Sequence, residues 1–288
     1  MILVFGKSGQ VAQEIARAAP GALCLGRDDA DLTVPGAAAD AIRRHGPTAV
    51  INAAAWTAVD AAEDERAAAH RLNADAPAEI AAAAAGIGAA LVHISTDYVF
   101  DGTGERPWRP DDPTGPQSAY GETKLAGERA VAEAMGQGAW AVLRTSWVFS
   151  AHGGNFVKTM LRVGATRDRL GVVDDQTGGP TPAADIAAAT LRIADALTSD
   201  PGLSGVYHFS GAPDVTWAGF ARAIFGAAGM ATAVDPIATA DWPTPAARPA
   251  NSRLDCSATK AAFGIDRPDW RTGLDAVLAE LRETETTA

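Results

Sequence analysis

Short apolar runs alternate with longer alanine-rich helical patterns over the first half of the chain, and this alternation limits the folds open to it. The apolar runs lie at residues 1–5, 22–25, 48–55, 88–95 and 140–146. Helical patterns follow them at residues 10–19, 35–45, 75–85 and 118–135. Repeated strand–helix units of this length predict a parallel sheet with right-handed crossovers. The predicted fold class is therefore α/β, with a doubly wound parallel sheet.

The acidic charge of the chain limits its partners. Its 288 residues carry a formal net charge of −11, whereas nucleic acids and anionic membranes bind basic surfaces. No stretch approaches the roughly 20 apolar residues of a membrane span. Cys24 and Cys256 lie far apart and form no CxxC pair, which is typical of a reduced protein. We therefore expect a cytoplasmic protein that binds neither nucleic acid nor a membrane.

The turn after the first apolar run has the composition of a phosphate-binding turn. Gly6 and Gly9 lie between the predicted strand and helix, and Ala12 occupies the third small position of a G-x-x-G-x-x-A pattern. Glycine lets the backbone approach a pyrophosphate at the helix N-terminus. Glycine pairs also occur in plain turns, so the pattern gains weight from its place in the first strand–helix unit. It predicts a Rossmann-like dinucleotide site.

The end of the second predicted strand bears on the choice of nicotinamide cofactor. Arg27 stands there with Asp28 and Asp29 beside it. An arginine at this point accommodates a ribose 2′-phosphate, whereas a carboxylate binds a ribose 2′-hydroxyl. The sequence therefore favours NADPH and leaves NADH open; a solvated Arg27 with no ligand is the alternative.

Tyr120 and Lys124 are four residues apart on the long predicted helix, so their side chains share one face. A phenol with its ordinary pKa of about 10 is a poor acid near neutrality, and a neighbouring ammonium group lowers that pKa. Lys124 could also donate a hydrogen bond to a nicotinamide ribose. The pair predicts a proton donor, Tyr120, tuned by Lys124, and an exposed helical pair is the alternative.

The segment STDYVFDG, residues 95–102, ends the fourth predicted strand with polar side chains. In a doubly wound sheet, ligands bind outside the carboxyl ends of the strands. We expect Thr96 to bind a carbonyl oxygen beside Tyr120, which leaves the carbonyl carbon open to a hydride. Asp97 is either an acceptor for a neighbouring hydroxyl or a residue of the turn.

The strand–helix rhythm breaks after Trp147, which predicts a second, smaller lobe. The apolar run at residues 170–173 is interpreted as a sixth strand. Two units are predicted, with the ligand in the cleft between them. They are a dinucleotide-binding domain of residues 1–146 plus about 170–198, and a discontinuous C-terminal substrate-binding lobe of residues 147–169 plus about 199–288.

Eight segments, in order along nearly the whole chain, resemble those of the extended short-chain dehydrogenase/reductases. They are FGKSGQV, VINAAAWTAVDAAE, STDYVFDGTGERPW, YGETKLAGE, LRTSWVF, NFVKTML, DDQTGGPT and PTPAARPANSRLD. Within these enzymes the chain is most similar to the dTDP-4-dehydrorhamnose reductase family, and the last segment is the most specific because general dehydrogenases lack it. The resemblance implies NAD(P)H-dependent reduction of dTDP-4-dehydro-L-rhamnose to dTDP-L-rhamnose.

The same resemblance implies roles for individual residues. It makes Thr96, Tyr120 and Lys124 the catalytic trio. Cofactor contacts would come from Gly9, Gln10 and Val11 at the pyrophosphate, Asp31 and Leu32 at the adenine, and Ala53, Ala54 and Ala55 at the ribose and linker. Substrate contacts would come from Trp147 at the sugar nucleotide, Arg248 and Asn251 near the diphosphate, and Asn155 and Phe156. A guanidinium suits a diphosphate bound by an acidic protein, while a core aromatic residue is the alternative for Trp147.

Departures from the family bear on a metal ion. Some relatives bind magnesium between subunits through carboxylates; Glu14 matches one ligand, but Ala184 stands at a second position. This difference speaks against magnesium and against that mode of dimerisation, although a homodimer stays open. The 5 histidines show no ligand spacing, so no catalytic metal is expected.

Other activities on the same fold need residues that differ from those of a reductase. A 4,6-dehydratase needs a second carboxylate after Asp97, where this chain has Tyr98. A 4-epimerase would lack the RPANSR-type segment. A non-catalytic regulatory subunit would bind cofactor without turnover, and the intact Thr96, Tyr120 and Lys124 argue against it. Reduction of another nucleotide-linked 4-keto sugar stays open, because the sequence does not reveal the shape of the pocket.

Overall fold

Strands and helices alternate along this computed structural model, which describes residues 1–287 and, for side chains, residues 1–284. The strands are β1 Ile2–Phe5, β2 Leu23–Leu25, β3 Ala49–Asn52, β4 Ala90–Thr96, β5 Trp140–Thr145, β6 Val148–Phe149, β7 Arg169–Val173, β8 Thr177–Gly178, β9 Thr181–Pro182, β10 Gly205–His208, β11 Val215–Thr216, β12 Ala233–Ile237 and β13 Asn251–Ser252. The α-helices are α1 Gln10–Ala18, α2 Ala37–His45, α3 Ala61–Asp64, α4 Arg66–His70, α5 Ala76–Gly86, α6 Ala119–Met135, α7 Phe156–Gly164, α8 Ala183–Ser199, α9 Trp217–Ala228, α10 Ser257–Phe263 and α11 Trp270–Thr287. A π-helical turn, Arg71–Asp75, joins α4 to α5. Along residues 1–287, none of these helices combines the length and apolar character needed to cross a bilayer.

Six parallel strands form the central sheet in the order β10-β5-β4-β3-β1-β2. The chain runs from β1 outwards to β2 and then crosses back to β3, so the strand order reverses between β1 and β3. The carboxyl ends of parallel strands meet at one edge, and such a reversal opens a ligand crevice there. The doubly wound parallel sheet expected from the sequence is confirmed.

Apolar side chains cover both faces of the central sheet. Alternate residues of a strand point to opposite faces, and both sets are buried here, as in sheets sandwiched between helices. The set packed against α2, α5 and α6 includes Leu3, Val50 and Leu91. The set packed against α1 and α8 includes Val4, Ile51 and Val92. The strand ends that carry the site are therefore held by a core on each side.

The apolar run at residues 170–173 does not belong to the central sheet. It forms β7, which pairs with β12 in a separate two-stranded sheet. The sixth central strand is β10, which pairs with β5. Residues 170–173 form a strand, as expected, but they are not the sixth strand of the central sheet, because strand pairing depends on residues distant in the chain. The division into two lobes by residue range stays a prediction.

A second apolar cluster lies beside the central sheet. Aromatic side chains from β6, α9 and α11 meet in it, namely Phe149, Phe220, Phe225 and Trp270. The indole of Trp270 donates a hydrogen bond of 2.7 Å to Pro213 O, which ties α11 to the loop before β11. The small sheet β11-β8-β13 lies among the C-terminal segments. These segments form the wall next to the carboxyl end of β5.

Candidate active site

A cavity of about 890 Å³ lies at the carboxyl edge of the central sheet. Every residue predicted to bind the cofactor lines it: Gly6, Gly9, Gln10, Val11, Arg27, Asp31, Leu32, Ala53, Ala54, Ala55, Tyr120 and Lys124. So do four residues predicted to contact the substrate: Thr96, Asp97, Trp147 and Asn155. This volume is in the upper part of the usual range for small-molecule sites, about 300–1,000 Å³. The sequence therefore identified 16 of the 34 lining residues.

The β1–α1 turn forms one end of the cavity with its backbone. Gly6 has a φ of +118°, and a Cβ there would lie 3.3 Å from both the Ala12 Cβ and the Ala53 carbonyl carbon. Gly9 precedes α1, and a Cβ on it would meet no protein atom within 4 Å. The first turn of α1 has no acidic residue, and its N–H groups favour an anion. This turn fits a pyrophosphate.

Two cationic side chains line the same end of the cavity. Arg27 was predicted there, whereas Lys7, inside the glycine turn, was missed. Lys7 Nζ lies 3.3 Å from Asp29 Oδ2. Asp31 accepts hydrogen bonds of 2.9 and 2.7 Å from Thr33 N and Oγ1, and these, with a smaller effect of Arg27, lower the pKa of Asp31. The charges near this end suit a ligand that carries phosphate.

Helix α6 begins at the cavity and carries Tyr120 into it. Ser118 caps the helix by accepting a hydrogen bond of 3.2 Å from Gly121 N. A Cβ on Gly121 would lie 2.3 Å from Tyr98 O, so only glycine lets α6 approach the segment after β4 this closely. The Tyr98 and Tyr120 rings meet edge to face, with centroids 5.5 Å apart. Tyr120 is thereby brought beside Thr96 at the end of β4.

Burial governs the ionisation of Tyr120 and Lys124. It raises the pKa of Tyr120 to about 12, although the hydrogen bond with Thr96 acts in the opposite direction. It lowers the pKa of Lys124 to about 8. Lys124 Nζ donates a hydrogen bond of 2.7 Å to Ile94 O. The prediction that Lys124 lowers the pKa of Tyr120 is not met in this structure, because burial dominates and the amine bonds to β4.

Asp97 is a buried carboxyl group at the cavity wall, with 2% of its surface exposed. Its Oδ1 accepts a hydrogen bond of 3.1 Å from Thr96 Oγ1. Its Oδ2 has no hydrogen-bond partner among the residues whose side chains the structure describes. Burial raises the pKa of Asp97 to about 6, with Ser252 and Thr96 acting the other way. A buried oxygen without a donor is costly, so a substrate hydroxyl would have a favourable partner here.

Trp147 follows β5 in an unusual backbone conformation. Its φ is +49°, a left-handed value that is strained for a bulky residue. Its carbonyl accepts a hydrogen bond of 3.1 Å from Thr181 N. The Trp147 ring stacks on Trp217, with centroids 3.5 Å apart and planes 11° from parallel. Trp147 is thus held as a rigid aromatic wall, and Trp217, which lies far along the chain, was not predicted.

Asn155 connects the two predicted ligand sides of the cavity. Its Nδ2 donates a hydrogen bond of 3.0 Å to Gln10 Oε1, on the first turn of α1. Its Oδ1 caps α7 by accepting a hydrogen bond of 3.2 Å from Lys158 N. Phe156, the next residue, packs against Trp217 and Phe220 instead. Phe156 is therefore partly buried against the aromatic cluster around Phe220, and its substrate contact stays a prediction.

Arg248 and Asn251 are not among the residues that line the cavity. Arg248 Nη2 donates a hydrogen bond of 2.8 Å to Asp60 Oδ2. Asn251 Nδ2 donates to Thr103 O at 3.2 Å and to Arg106 O at 2.8 Å. Its Oδ1 accepts from Arg253 N at 3.3 Å. The Asn251 side chain is thus engaged by backbone groups, and its contact with a diphosphate stays a prediction.

Tyr98 lines the cavity but was not predicted to do so. It lies within STDYVFDG, next to Asp97, at the position where a dehydratase would have its second carboxylate. It lines the cavity, and burial raises the pKa of its hydroxyl. The edge-to-face contact with Tyr120 depends on the packing of α6, which the sequence does not state.

Glu14 makes contacts within the chain. Arg17 Nη1 lies 3.6 Å from Glu14 Oε2, and His152 Nε2 lies 3.3 Å from Glu14 Oε1. Ala184 lines a second, smaller cavity together with Glu14. Among the residues described, no three His, Cys, Asp or Glu side chains come together in a group that could hold a metal ion.

Comparison with known proteins identifies the family. The sequence model described as RmlD substrate binding domain matches residues 1–283. A dTDP-4-dehydrorhamnose reductase of Burkholderia thailandensis is 46% identical over 300 residues, covering 97% of this chain and 98% of that protein. The crystal structure of a dTDP-4-dehydrorhamnose reductase from Clostridium acetobutylicum has a TM-score of 0.91 at 37% identity, covering 98% of this chain and 99% of that one. The crystal structure of a dTDP-4-dehydrorhamnose reductase from Bacillus anthracis, in complex with NADP, has a TM-score of 0.90 at 32% identity. The match covers 97% of this chain and 98% of that one. The chain belongs to the RmlD substrate binding domain family.

Proposed function

We propose that this protein is an oxidoreductase that uses NAD(P)H to reduce the 4-keto group of dTDP-4-dehydro-L-rhamnose, which gives dTDP-L-rhamnose. One observation carries the proposal: a single cavity combines the backbone turn at α1 with the buried Thr96 and Lys124 and the partly buried Tyr120. The activity named for the Burkholderia thailandensis and Clostridium acetobutylicum relatives supports the choice of substrate.

NADPH is the proposed preferred cofactor. Arg27 and Lys7 line the end of the cavity next to β2, and a cation there favours a 2′-phosphate. The Bacillus anthracis relative was solved with NADP. Gly6 and Gly9 would hold the pyrophosphate, with Asp31 and Leu32 at the adenine. The nicotinamide, when bound, supplies the hydride that reaches the carbonyl carbon.

Tyr120 acts as the acid in this proposal. Its pKa of about 12 keeps the hydroxyl protonated at neutral pH, so it can give its proton to the oxygen that becomes the new hydroxyl. Thr96 Oγ1, which donates to Asp97 Oδ1 in this structure, would turn its proton to that oxygen and hold it beside Tyr120. A positive charge on Lys124 favours the phenolate that Tyr120 leaves behind. A proton donor placed in this way contributes about 10²–10⁴-fold to the rate.

The rest of the substrate would meet side chains from both lobes. Asp97 would accept a hydrogen bond from a sugar hydroxyl, while Trp147 and Asn155 would contact the sugar nucleotide. Arg248 would exchange Asp60 for the diphosphate, since a guanidinium binds phosphate oxygens in pairs. Val59, the residue before Asp60, lines the cavity, and this supports a role for the Asp60–Arg248 pair at its edge.

Cys24 and Cys256 are free thiols, and this supports a cytoplasmic location. A homodimer stays a prediction.

The test is consumption of reduced cofactor by the purified protein given dTDP-4-dehydro-L-rhamnose, with NADPH and NADH in parallel. We expect faster loss of NADPH and a product identified by NMR as dTDP-L-rhamnose. Cofactor binding without turnover would reject this substrate. It would favour another nucleotide-linked 4-keto sugar as the substrate. If no keto sugar were reduced, it would favour a non-catalytic regulatory subunit.

A further inference from the structure

Two buried polar side chains form a chain with Lys124. Asn52 ends β3 and His93 lies opposite it on β4. Asn52 Nδ2 lies 3.0 Å from His93 Nδ1, and His93 Nε2 lies 3.5 Å from Lys124 Nζ. Asn52 is 1% exposed and His93 is fully buried. Neither is among the lining residues of the cavity, so any effect on a ligand passes through Lys124 or the backbone after β3.

The backbone after β3 fixes which way the Asn52 amide faces. Asn52 Oδ1 accepts a hydrogen bond of 3.2 Å from Ala54 N, so its Nδ2 is the atom that faces His93. An amide nitrogen only donates, and His93 Nδ1 must therefore accept. A neutral imidazole carries one proton, which then sits on Nε2. Burial and the nearby Lys124 hold the pKa of His93 well below its usual value, so the ring is neutral.

This tautomer determines what Lys124 meets on β4. An Nε2–H group offers no lone pair to an ammonium group. Ile94 O, at 2.7 Å, is then the acceptor that β4 presents to Lys124 Nζ. The other N–H groups of the amine are free to turn towards the cavity that Lys124 lines.

We propose that His93 is a positioning residue for Lys124: Asn52 fixes its tautomer, and the resulting N–H group keeps the amine turned into the cavity. The inference rests on the proposed function for its importance to the reaction. It accords with the low pKa of Lys124, since an N–H facing an ammonium group favours the neutral amine. Glu128, one turn further along α6, acts in the opposite direction on Lys124, and it is paired with Arg144 at 2.7 Å.

The tautomer of His93 can be measured without substrate. We would record nitrogen-15 NMR spectra of the histidine side chains in the full-length wild-type protein at neutral pH. A neutral ring with its proton on Nε2 is expected for His93. A proton on Nδ1, or a doubly protonated ring, would overturn the proposal whether or not the protein reduces a keto sugar.

Substitution of Asn52 tests the effect on Lys124. In Asn52→Leu the His93 ring can move its proton to Nδ1 and present the lone pair of Nε2 to Lys124. In Asn52→Asp the carboxylate accepts from Nδ1 and so enforces that tautomer. We expect each to raise the pKa of Lys124 by about one, a tenfold change in its acid constant, with a larger rise for the aspartate. The chain has four lysines, so labelled lysine resonances can be followed individually.

Activity adds a second measurement in the same variants. Because the proposed reaction uses charged Lys124, kcat/KM should fall as pH rises through about 8 in the wild type, and at higher pH in the variants. His45→Gln, at the exposed end of α2, is the matched control and should change neither value. An unchanged Lys124 pKa in both folded Asn52 variants would refute the proposal. If a variant does not fold, the wild-type tautomer still decides. An altered Lys124 pKa in the variants, together with no turnover by the wild type, would refute the proposed function and leave the positioning role intact.

Discussion

The two halves of the cavity are built in different ways. The cofactor half is mostly backbone and small side chains, from the Gly6–Val11 turn and the Ala53–Ala55 loop. The substrate half presents ionisable groups that are buried, as Asp97 and Lys124 are, or partly buried, as Tyr120 is. The first half can hold a ligand through the N–H groups of the first turn of α1, which have no acceptor within the helix, at little cost to folding. The second half carries groups whose burial shifts their pKa values. The same burial that suits these groups to catalysis therefore lowers the free energy of unfolding.

The sharpest way to separate the halves is to remove the proposed acid. Tyr120→Phe should lower kcat about 10²–10⁴-fold, because the proton then has no donor in place. Cofactor affinity should change little, since the turn at α1 is untouched. Stopped-flow consumption of NADPH and titration of cofactor binding would measure the two effects. Tyr207→Phe is the matched control: its hydroxyl donates to Leu203 O at 2.7 Å, away from the cavity lining. Its kcat should match the wild type, and equal losses in both variants would contradict the role of Tyr120.

The cost of the substrate half should be visible in stability. Asp97 has a pKa of about 6 against an ordinary 3.8, so folding is penalised once the carboxyl group ionises. Below about pH 4 the penalty is absent, and above about pH 6 it is complete, at about 3 kcal/mol. Asp97→Asn should therefore raise the free energy of unfolding at pH 8 and leave it unchanged at pH 4. Urea titrations at both values test this.

Activity should move in the opposite direction in the same variant. Asp97→Asn should weaken substrate binding, because a neutral amide oxygen is a poorer acceptor than a carboxylate. As a control, Asp29 has its pKa lowered by Gly26 N and Lys7, so Asp29→Asn should give no stabilisation at pH 8. If Asp97→Asn raised the free energy of unfolding equally at pH 4 and pH 8, the stabilisation would not come from removing a buried charge.

The cofactor half should show the reverse behaviour, with binding lost and stability kept. A side chain on Gly9 would meet no protein atom within 4 Å, yet it would enter the space next to the first turn of α1. Gly9→Val should raise the Kd for NADPH about ten- to a hundredfold, from an overlap of about 1–3 kcal/mol. The melting temperature should stay close to that of the wild type. Gly21→Val, also in open space but away from the cavity, should bind NADPH normally. Normal binding by Gly9→Val would place the pyrophosphate elsewhere.

The contrast between local patterns and distant contacts also explains which features could be predicted from the sequence. Gly6, Gly9 and the alternating strands are local patterns, so the sheet and the cofactor turn could be predicted from them. The partners of Arg248 and Asn251 come from segments distant in the chain, and no pattern announces them. β7 shows the same limit, because a short apolar run does not state which sheet it will join. The direction of the pKa shift of Tyr120 was not predicted, because the burial that raises it depends on how α6 packs.

The smallest expected effect concerns Arg248, the cation that the structure pairs with Asp60 at 2.8 Å. If Arg248 changes partner to bind the diphosphate, Arg248→Ala should raise the Kd for dTDP about tenfold, the worth of one charged hydrogen bond of about 1.5 kcal/mol. Asp60→Asn should act in the opposite direction and tighten dTDP binding a few-fold, because the guanidinium loses a competing carboxylate. Calorimetric titration with dTDP measures both, and the difference should shrink at high salt, since both partners are partly exposed. Weaker binding by Asp60→Asn would instead mean that Asp60 orients Arg248, so that this part of the substrate half is preorganised like the cofactor turn.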